Sequence, residues 1–258
     1  MRREHELAAK KLSAGSCVVE MRLTILALDT STEACSVACW RWGEVLAQDY
    51  AHLGHGHAEA LVPMVASVMA ESGLCYGQLD AIAVTIGPGT FTGLRVGLAA
   101  ARGLALASSK PMIGVTTLEA IAHAAHSDER SVLAVLDARR SQLYAQAFDP
   151  MLMPIGPPSV LPLQNIQSLR PDGPYVVAGT GAALARPHLL RPTTPEGDVM
   201  FDSGDGFPRA VVVARIASAR EPLPATTIRP IYLRAPDATL PKIARGDTTG
   251  ALGSFNRE

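Results

Sequence analysis

Aromatic residues are scarce in this chain, and its charges nearly cancel. Only 5% of its 258 residues are Phe, Trp or Tyr, and 23 Lys and Arg meet 24 Asp and Glu, leaving a formal net charge of −1. Without a net field or an aromatic-basic stripe, nothing recruits nucleic acid globally, so an RNA role requires a partner or a local patch. Cysteine is sparse as well, and Cys17, Cys35, Cys39 and Cys75 show no CxxC spacing. Cys35 and Cys39 share one expected strand, which sets them about 13 Å apart at ~3.3 Å per residue. That exceeds the reach of a disulfide. The first twenty residues have no apolar core of a signal peptide, and free thiols without an export signal point to the cytosol. No apolar run is long enough to span a membrane, since Gly43 and Gly73 interrupt the early hydrophobic stretches. Neither a GxSxG elbow nor an HExxH helix occurs, nor the Gly-Lys-Ser/Thr of a P-loop.

What the chain does have is apolar bulk: 48% hydrophobic content suffices for a sizeable core, in one domain or two small lobes. Its most informative stretch is Gly87-Pro88-Gly89-Thr90-Phe91-Thr92-Gly93, entered from the strand 81–85 and running into a helix from about Thr92 to Ala107. Thr90 or Thr92 is suited to cap that helix. Between Leu94 and Ala107 only Arg95 and Arg102 carry charge, so the helix is apolar on nearly every side and needs cover on nearly every side. The glycine-rich turn has two readings. It is either a structural corner, the plainer one, or a phosphate cradle of backbone N–H groups together with Asp29, Thr30, Ser31, Gly87 and Gly89.

The remaining pattern is a duplication. An apolar strand, Leu23 to Leu28, ends in Asp29-Thr30-Ser31-Thr32, a hairpin turns at Gly43, and a helix from Ala58 to Ala70 follows, with Pro63 expected to kink or shorten its first turn. The second half repeats the opening: Val132 to Leu136 ends in Asp137, the loop Ala138-Arg139-Arg140-Ser141 follows, and then the strand Leu143 to Phe148. The strand Tyr175 to Ala178 runs into a second glycine corner, Gly179-Thr180-Gly181, and Pro208 to Ala219 reads as a closing helix. Two such lobes around a cleft are an α/β, actin-like, ribonuclease-H-like plan. The expected organisation is a disordered extension over 1–20, one lobe over 21–126, a second over 127–234, and a flexible tail over 235–258.

Candidate chemistry is thin. Asp29-Thr30-Ser31-Thr32 is an Mg²⁺ or phosphate loop in an actin-like phosphotransferase, or a plain strand-end turn. The turn is the simpler reading, because Arg139 and Arg140 stand where the second loop of such ATPases has Gly and Thr. His52, His55 and His57 form an HxxHxH cluster with no second motif, so a solvated loop is expected there and no metal site.

ILALDTSTEACSVACW, GPGTFTGLRVGLAAARGLAL, PMIGVTTLEAIA, VLDARRSQLYAQAF and the late IRPIYLR resemble, in order over residues 21–243, the TsaB (YeaZ) family. The resemblance implies a dimerisation subunit of the bacterial machinery that makes threonylcarbamoyladenosine in tRNA. It further implies a TsaD-like catalytic partner, a TsaE-like ATPase in the assembly, a homodimer in isolation, and tRNA engaged only through the complex. ATP and metal are then expected on the partner subunits, with no cofactor and no catalytic residue here. In the catalytic paralogue two histidines four apart bind the metal; the matching positions here are Thr117 and Ile121, which cannot replace imidazole. The resemblance also implies that the helices 58–70 and 92–107 pair with the same two helices of the TsaD-like partner. Gly93, Gly97 and Ala101 are expected to form the close-approach ridge, and Leu61, Met64, Val65, Val68, Leu94 and Leu98 to supply apolar area.

Overall fold

A computed structural model describes residues 22–126, 129–190, 192, 195 and 197–234; the expected extension over 1–20 and tail over 235–258 lie outside the described residues. The chain builds two five-stranded sheets. The first takes β1 (Thr24–Asp29), β2 (Ala34–Arg41), β3 (Glu44–His52), β4 (Ala81–Thr85) and β5 (Met112–Val115), in the order β3-β2-β1-β4-β5. The second takes β6 (Ser131–Asp137), β7 (Gln142–Phe148), β8 (Ser159–Pro162), β9 (Tyr175–Ala178) and β10 (Val199–Phe201), in the order β10-β9-β6-β7-β8. In each, the first three strands are an antiparallel meander and the last two are added in parallel. The same order, twice, is the actin-like duplication, and Asp29 and Asp137 do end the two equivalent strands.

β1 and β4 are buried along their whole length, as continuous apolar runs in a sheet covered on both faces should be. One face of the first sheet is covered by α1 (His57–Ser72) and α2 (Phe91–Ser108). α1 runs unbroken through Pro63, contrary to the expected shortening; both its ends are set by left-handed glycines, Gly56 and Gly73. α2 begins one residue earlier than expected, with the Thr90 hydroxyl accepting from the Gly93 N–H at 3.2 Å.

The other face exposes a feature that division into two lobes does not anticipate. α3 (Thr117–Ala124), which follows the first sheet, sends Leu118, Ile121 and Ala122 into the core of the second sheet. α5 (Ala210–Ala217), which follows the second sheet, sends Ala210, Val213, Ala214 and Ala217 into the core of the first. The closing helix is therefore shorter than expected and belongs to the first sheet's core. α4 (Ala182–Leu189) and the 3-10 turn Leu163–Leu169 cover the outer face of the second sheet. The chain then returns along the first sheet's edge: Met112 and Leu223 exchange two 2.8 Å hydrogen bonds, and the Ile231 N–H donates to the Ile86 carbonyl at 2.7 Å. A boundary drawn at 126/127 separates the strands but not the cores.

α2 lies so close to the loop after β1 that only glycine fits. A Cβ on Gly93 would sit 2.0 Å from the Thr30 carbonyl oxygen, and one on Gly97 would sit 2.4 Å from Thr30 Oγ1. Gly103, two turns on and on the outer side, would meet nothing within 4 Å. Gly93→Ala should therefore cost about 3 kcal/mol or more by overpacking against backbone. Gly103→Ala should add roughly 0.5–1 kcal/mol of stability through helix propensity. Chemical denaturation of the two variants beside the parent checks both signs.

Candidate functional site

The glycine corner and the loop after β1 form one closed unit. The Thr90 N–H donates to the Ser31 carbonyl at 2.8 Å, the Leu94 N–H to the Thr90 carbonyl at 3.0 Å, and the Thr30 hydroxyl to the Gly93 carbonyl at 2.7 Å. A Cβ on Gly89 would lie 2.2 Å from the Ser31 carbonyl oxygen. The glycines of the candidate phosphate loop are thus spent on backbone contact, and the Thr90, Gly93 and Leu94 N–H groups are occupied. Asp29, Thr30 and Ser31 are buried in the same unit. Asp29 Oδ1 accepts from the Ser31 hydroxyl at 2.7 Å, the Ser31 N–H at 3.2 Å and the Thr85 hydroxyl at 2.7 Å, while Oδ2 has no protein partner. Burial raises the carboxyl to about 6, against the lowering effect of those hydrogen bonds.

Thr117 and Ile121 are both buried. Ile121 packs in the second sheet's core, and Thr117 is fully buried with its N–H on the Gly87 carbonyl and its hydroxyl unpartnered. The three loop histidines diverge. His52 stacks on Phe207 and lies 3.8 Å from Glu33, His55 is exposed, and the buried His57 places Nε2 3.2 Å from the Ala34 carbonyl. Among the described residues no three His, Cys, Asp or Glu side chains gather as a metal site.

Between the sheets lies a cleft of about 690 Å³. One wall is Ser31 to Glu33, Pro88 to Phe91 and Ile231 to Arg234; the other is Leu136 to Arg139, Tyr144 and Thr180. Its mouth is bridged by an ion pair between Arg139 and Glu33, with Asp137 3.5 Å from the same guanidinium. Arg139, Arg140 and Ser141 all adopt left-handed backbone, an expensive run for residues with side chains. It is held by the Asp137 carboxylate accepting from the Arg139 N–H at 2.7 Å and by Arg234 donating to Gln142 and to the Arg139 carbonyl. Nothing in Ala-Arg-Arg-Ser signals that geometry locally.

The nine residues expected at a partner interface do not face outward. Leu61, Met64, Val65, Val68, Leu94, Leu98 and Ala101 are buried in the chain's own core, and Gly93 and Gly97 lie under α2 against Thr30. Both sides of α2 are small and apolar, and the contact of Gly93 and Gly97 with Thr30 turns this stripe inward. The outward face is formed instead by Val62, Pro63, Ala66 and Ala70 on α1 and by Ala99, Gly103, Leu106 and Ala107 on α2. Val62 is 64% exposed and Leu106 83%.

The family profile described as "TsaD: tRNA N6-adenosine threonylcarbamoyltransferase" matches residues 51–153. The solved structure of YeaZ from Pseudomonas aeruginosa is 33% identical with a TM-score of 0.71, over 82% of this chain and 100% of that one. The tRNA threonylcarbamoyladenosine biosynthesis protein TsaB of Escherichia coli is 43% identical over 124 residues, which are 47% of this chain and 53% of that protein. That of Haemophilus influenzae is 45% identical over 130 residues, 47% of this chain and 52% of that protein, so the chain spans about half the length of these two relatives. An uncharacterized Mycobacterium bovis protein is 33% identical over 219 residues, 83% of this chain and 93% of that one.

The sealed Asp29 sets a pH dependence. With a native value of about 6 against 3.8, the folded state binds more protons between those pH values, so this group lowers stability as pH rises through the window. The full difference is about 3 kcal/mol. His123, pushed down to about 4 by burial and by Arg215 and Arg220, has the opposite slope from about pH 4 to 6.5. The difference between the parent and Asp29→Asn isolates the carboxyl. Urea midpoints from pH 4 to 8 should show the parent losing stability relative to Asp29→Asn up to about pH 6 and running parallel above it.

Proposed function

Since the chain belongs to the TsaB/YeaZ family, we propose that it acts in making threonylcarbamoyladenosine in tRNA, as a non-catalytic subunit that binds a TsaD-like catalytic partner. The observation that carries this reading is the uncovered outer face of α1 and α2. Two adjacent helices present Val62, Ala66, Ala70, Ala99, Gly103 and Leu106 to solvent, with Glu59, Glu71 and Arg95 as their exposed charges. Small side chains let helix backbones approach closely, and an apolar face of this kind marks an interaction surface. A TsaD-like subunit of the same fold would offer the matching helix pair, and the same face accounts for a homodimer in isolation.

A subunit role is further supported by what the site lacks. Thr117 and Ile121 offer no metal ligand pair, and the Thr90, Gly93 and Leu94 N–H groups of the corner are occupied within the chain. ATP and metal are assigned to the partner subunits, including a TsaE-like ATPase, and the work is placed in the cytoplasm. No helix among the described residues is long and apolar enough to cross a membrane. The rival, a phosphotransferase using Asp29 and the Gly87–Gly89 corner, would need Asp29 at a solvent-reached phosphate. Asp29 is fully buried.

Val62→Glu and Ala99→Glu should fold normally by circular dichroism, because both positions are exposed. Each should weaken binding to the TsaD-like subunit by at least about tenfold, since it buries an unpaired charge in an apolar contact. Normal co-purification of both variants would place the interface elsewhere. Alone, the chain should retain tRNA weakly because its net charge is −1. Tight, salt-sensitive retention in a filter assay would contradict the assignment of tRNA binding to the assembled complex.

A further inference from the structure

Arg95 and Arg102 are the only charges on α2, seven residues apart and so on one stripe of the helix. Both are tied to the segment Leu223–Arg234, which forms no helix and no strand of its own. The Arg102 guanidinium donates to the Ile228 carbonyl at 2.7 Å. Arg95 stacks 3.6 Å from the Phe91 centroid, and the Phe91 ring lies 5.6 Å from that of Tyr232. Between these two fasteners the Ile231 N–H donates to the Ile86 carbonyl at 2.7 Å. A Cβ on Gly87 would stand 2.7 Å from the Ile231 carbonyl oxygen, so the segment crosses the glycine corner at backbone distance.

The far end of this segment reaches the second sheet. Arg234 donates to the Gln142 side chain and, at 3.5 Å, to the Arg139 carbonyl, so it holds the left-handed run 139–141. Such a run of residues with side chains persists only where the surroundings over-determine it. Asp137 fixes it from within the loop, and Arg234 fixes it from the segment that α2 holds in place. Arg139 in turn pairs with Glu33 across the cleft mouth. We infer that Leu223–Arg234 is a strap coupling α2 to this loop: its fastening by Arg95 and Arg102 keeps 139–141 left-handed and Arg139 on Glu33. The strained loop is the element with two states, and the strap biases it. A subunit docked on α2 lies against Arg95 and Arg102, steadies the strap and is thereby felt at the cleft mouth. That consequence rests on the partner reading above, whereas the coupling itself belongs to the chain alone.

Amide hydrogen exchange by NMR on the full chain tests the coupling at two reporters. The Arg139 N–H donates to the Asp137 carboxylate at 2.7 Å, and the Gln142 N–H to the Arg139 carbonyl at 3.1 Å. Arg102→Ala removes a contact with neither residue, yet should speed exchange at both by at least about threefold, with the amides of β6 and β9 unchanged. In an Arg234→Ala background, where the strap no longer reaches the loop, Arg102→Ala should add nothing. Unchanged loop exchange in Arg102→Ala, or equal acceleration with and without Arg234, overturns the proposal. Arg95→Ala, at an exposed position, repeats the comparison should Arg102→Ala loosen β6 and β9 as well. Added TsaD-like subunit should slow both reporters in the parent and not in Arg234→Ala. A subunit that binds without slowing them overturns the strap's response to docking. A subunit that fails to bind overturns the partner reading and leaves the comparison within the chain standing.

Discussion

The approach of α2 to the loop after β1 is the constraint on which most of the structure depends. The Ser31 and Thr30 carbonyl oxygens stand where side chains at 89 and 93 would, and the Thr30 hydroxyl where one at 97 would, so the helix settles at backbone distance from the strand end. That contact fixes which side of α2 faces the sheet, and so which side is left for solvent. It also seals Asp29 beneath Ser31 and Thr85, taking it out of water. The contact welds two segments of one lobe together. The unpartnered Asp29 Oδ2 and Thr117 hydroxyl remain as buried polar atoms with no protein partner.

The exchange of helices between the sheets is the second organising fact. α3 packs on the second sheet and α5 on the first, so each core contains residues from both halves of the chain. Neither half can bury its apolar surface alone. The cleft is bounded by this arrangement, and its one edge is fastened by ionic and aromatic contacts. Arg139 pairs with Glu33, the Tyr50 hydroxyl donates to Asp205 at 3.0 Å, and the Arg209 guanidinium lies 3.4 Å from the Tyr50 ring centroid. Exposed pairs of this kind contribute little individually, so the helix exchange carries the stability and these contacts set the register of the two halves.

Two surfaces therefore remain for function, and they differ in kind. The outer face of α1 and α2 is made mostly of small apolar side chains, with Val62 and Leu106 standing out from it. The cleft is lined by Phe91, Tyr144, Phe207 and Tyr232 and edged by the Arg139–Glu33 ion pair. They meet near the N-terminus of α2, where Phe91 lines the cleft and Arg95 covers its outer side. A partner docked on α2 would therefore lie beside the cleft mouth.

The duplication was legible in the chain itself. Apolar strands ending in aspartate, glycine corners at 87–89 and 179–181 and the capping Thr90 are local signals, and local physics carries them through folding. The family motifs are legible for the same reason, since they record backbone approaches that tolerate only glycine. The facing of α2 was not legible. Gly93, Gly97 and Ala101 form one small-residue stripe and Ala99, Gly103 and Leu106 another, and periodicity cannot choose between two apolar sides. The contact with Thr30, more than sixty residues earlier, makes that choice. The left-handed run at 139–141 and the gathering of Phe91, Tyr144, Phe207 and Tyr232 were equally invisible, because each depends on residues from both halves meeting across the cleft. Local sequence determined the elements and their repeat; long-range packing alone decided which faces were spent inside and which were left outside.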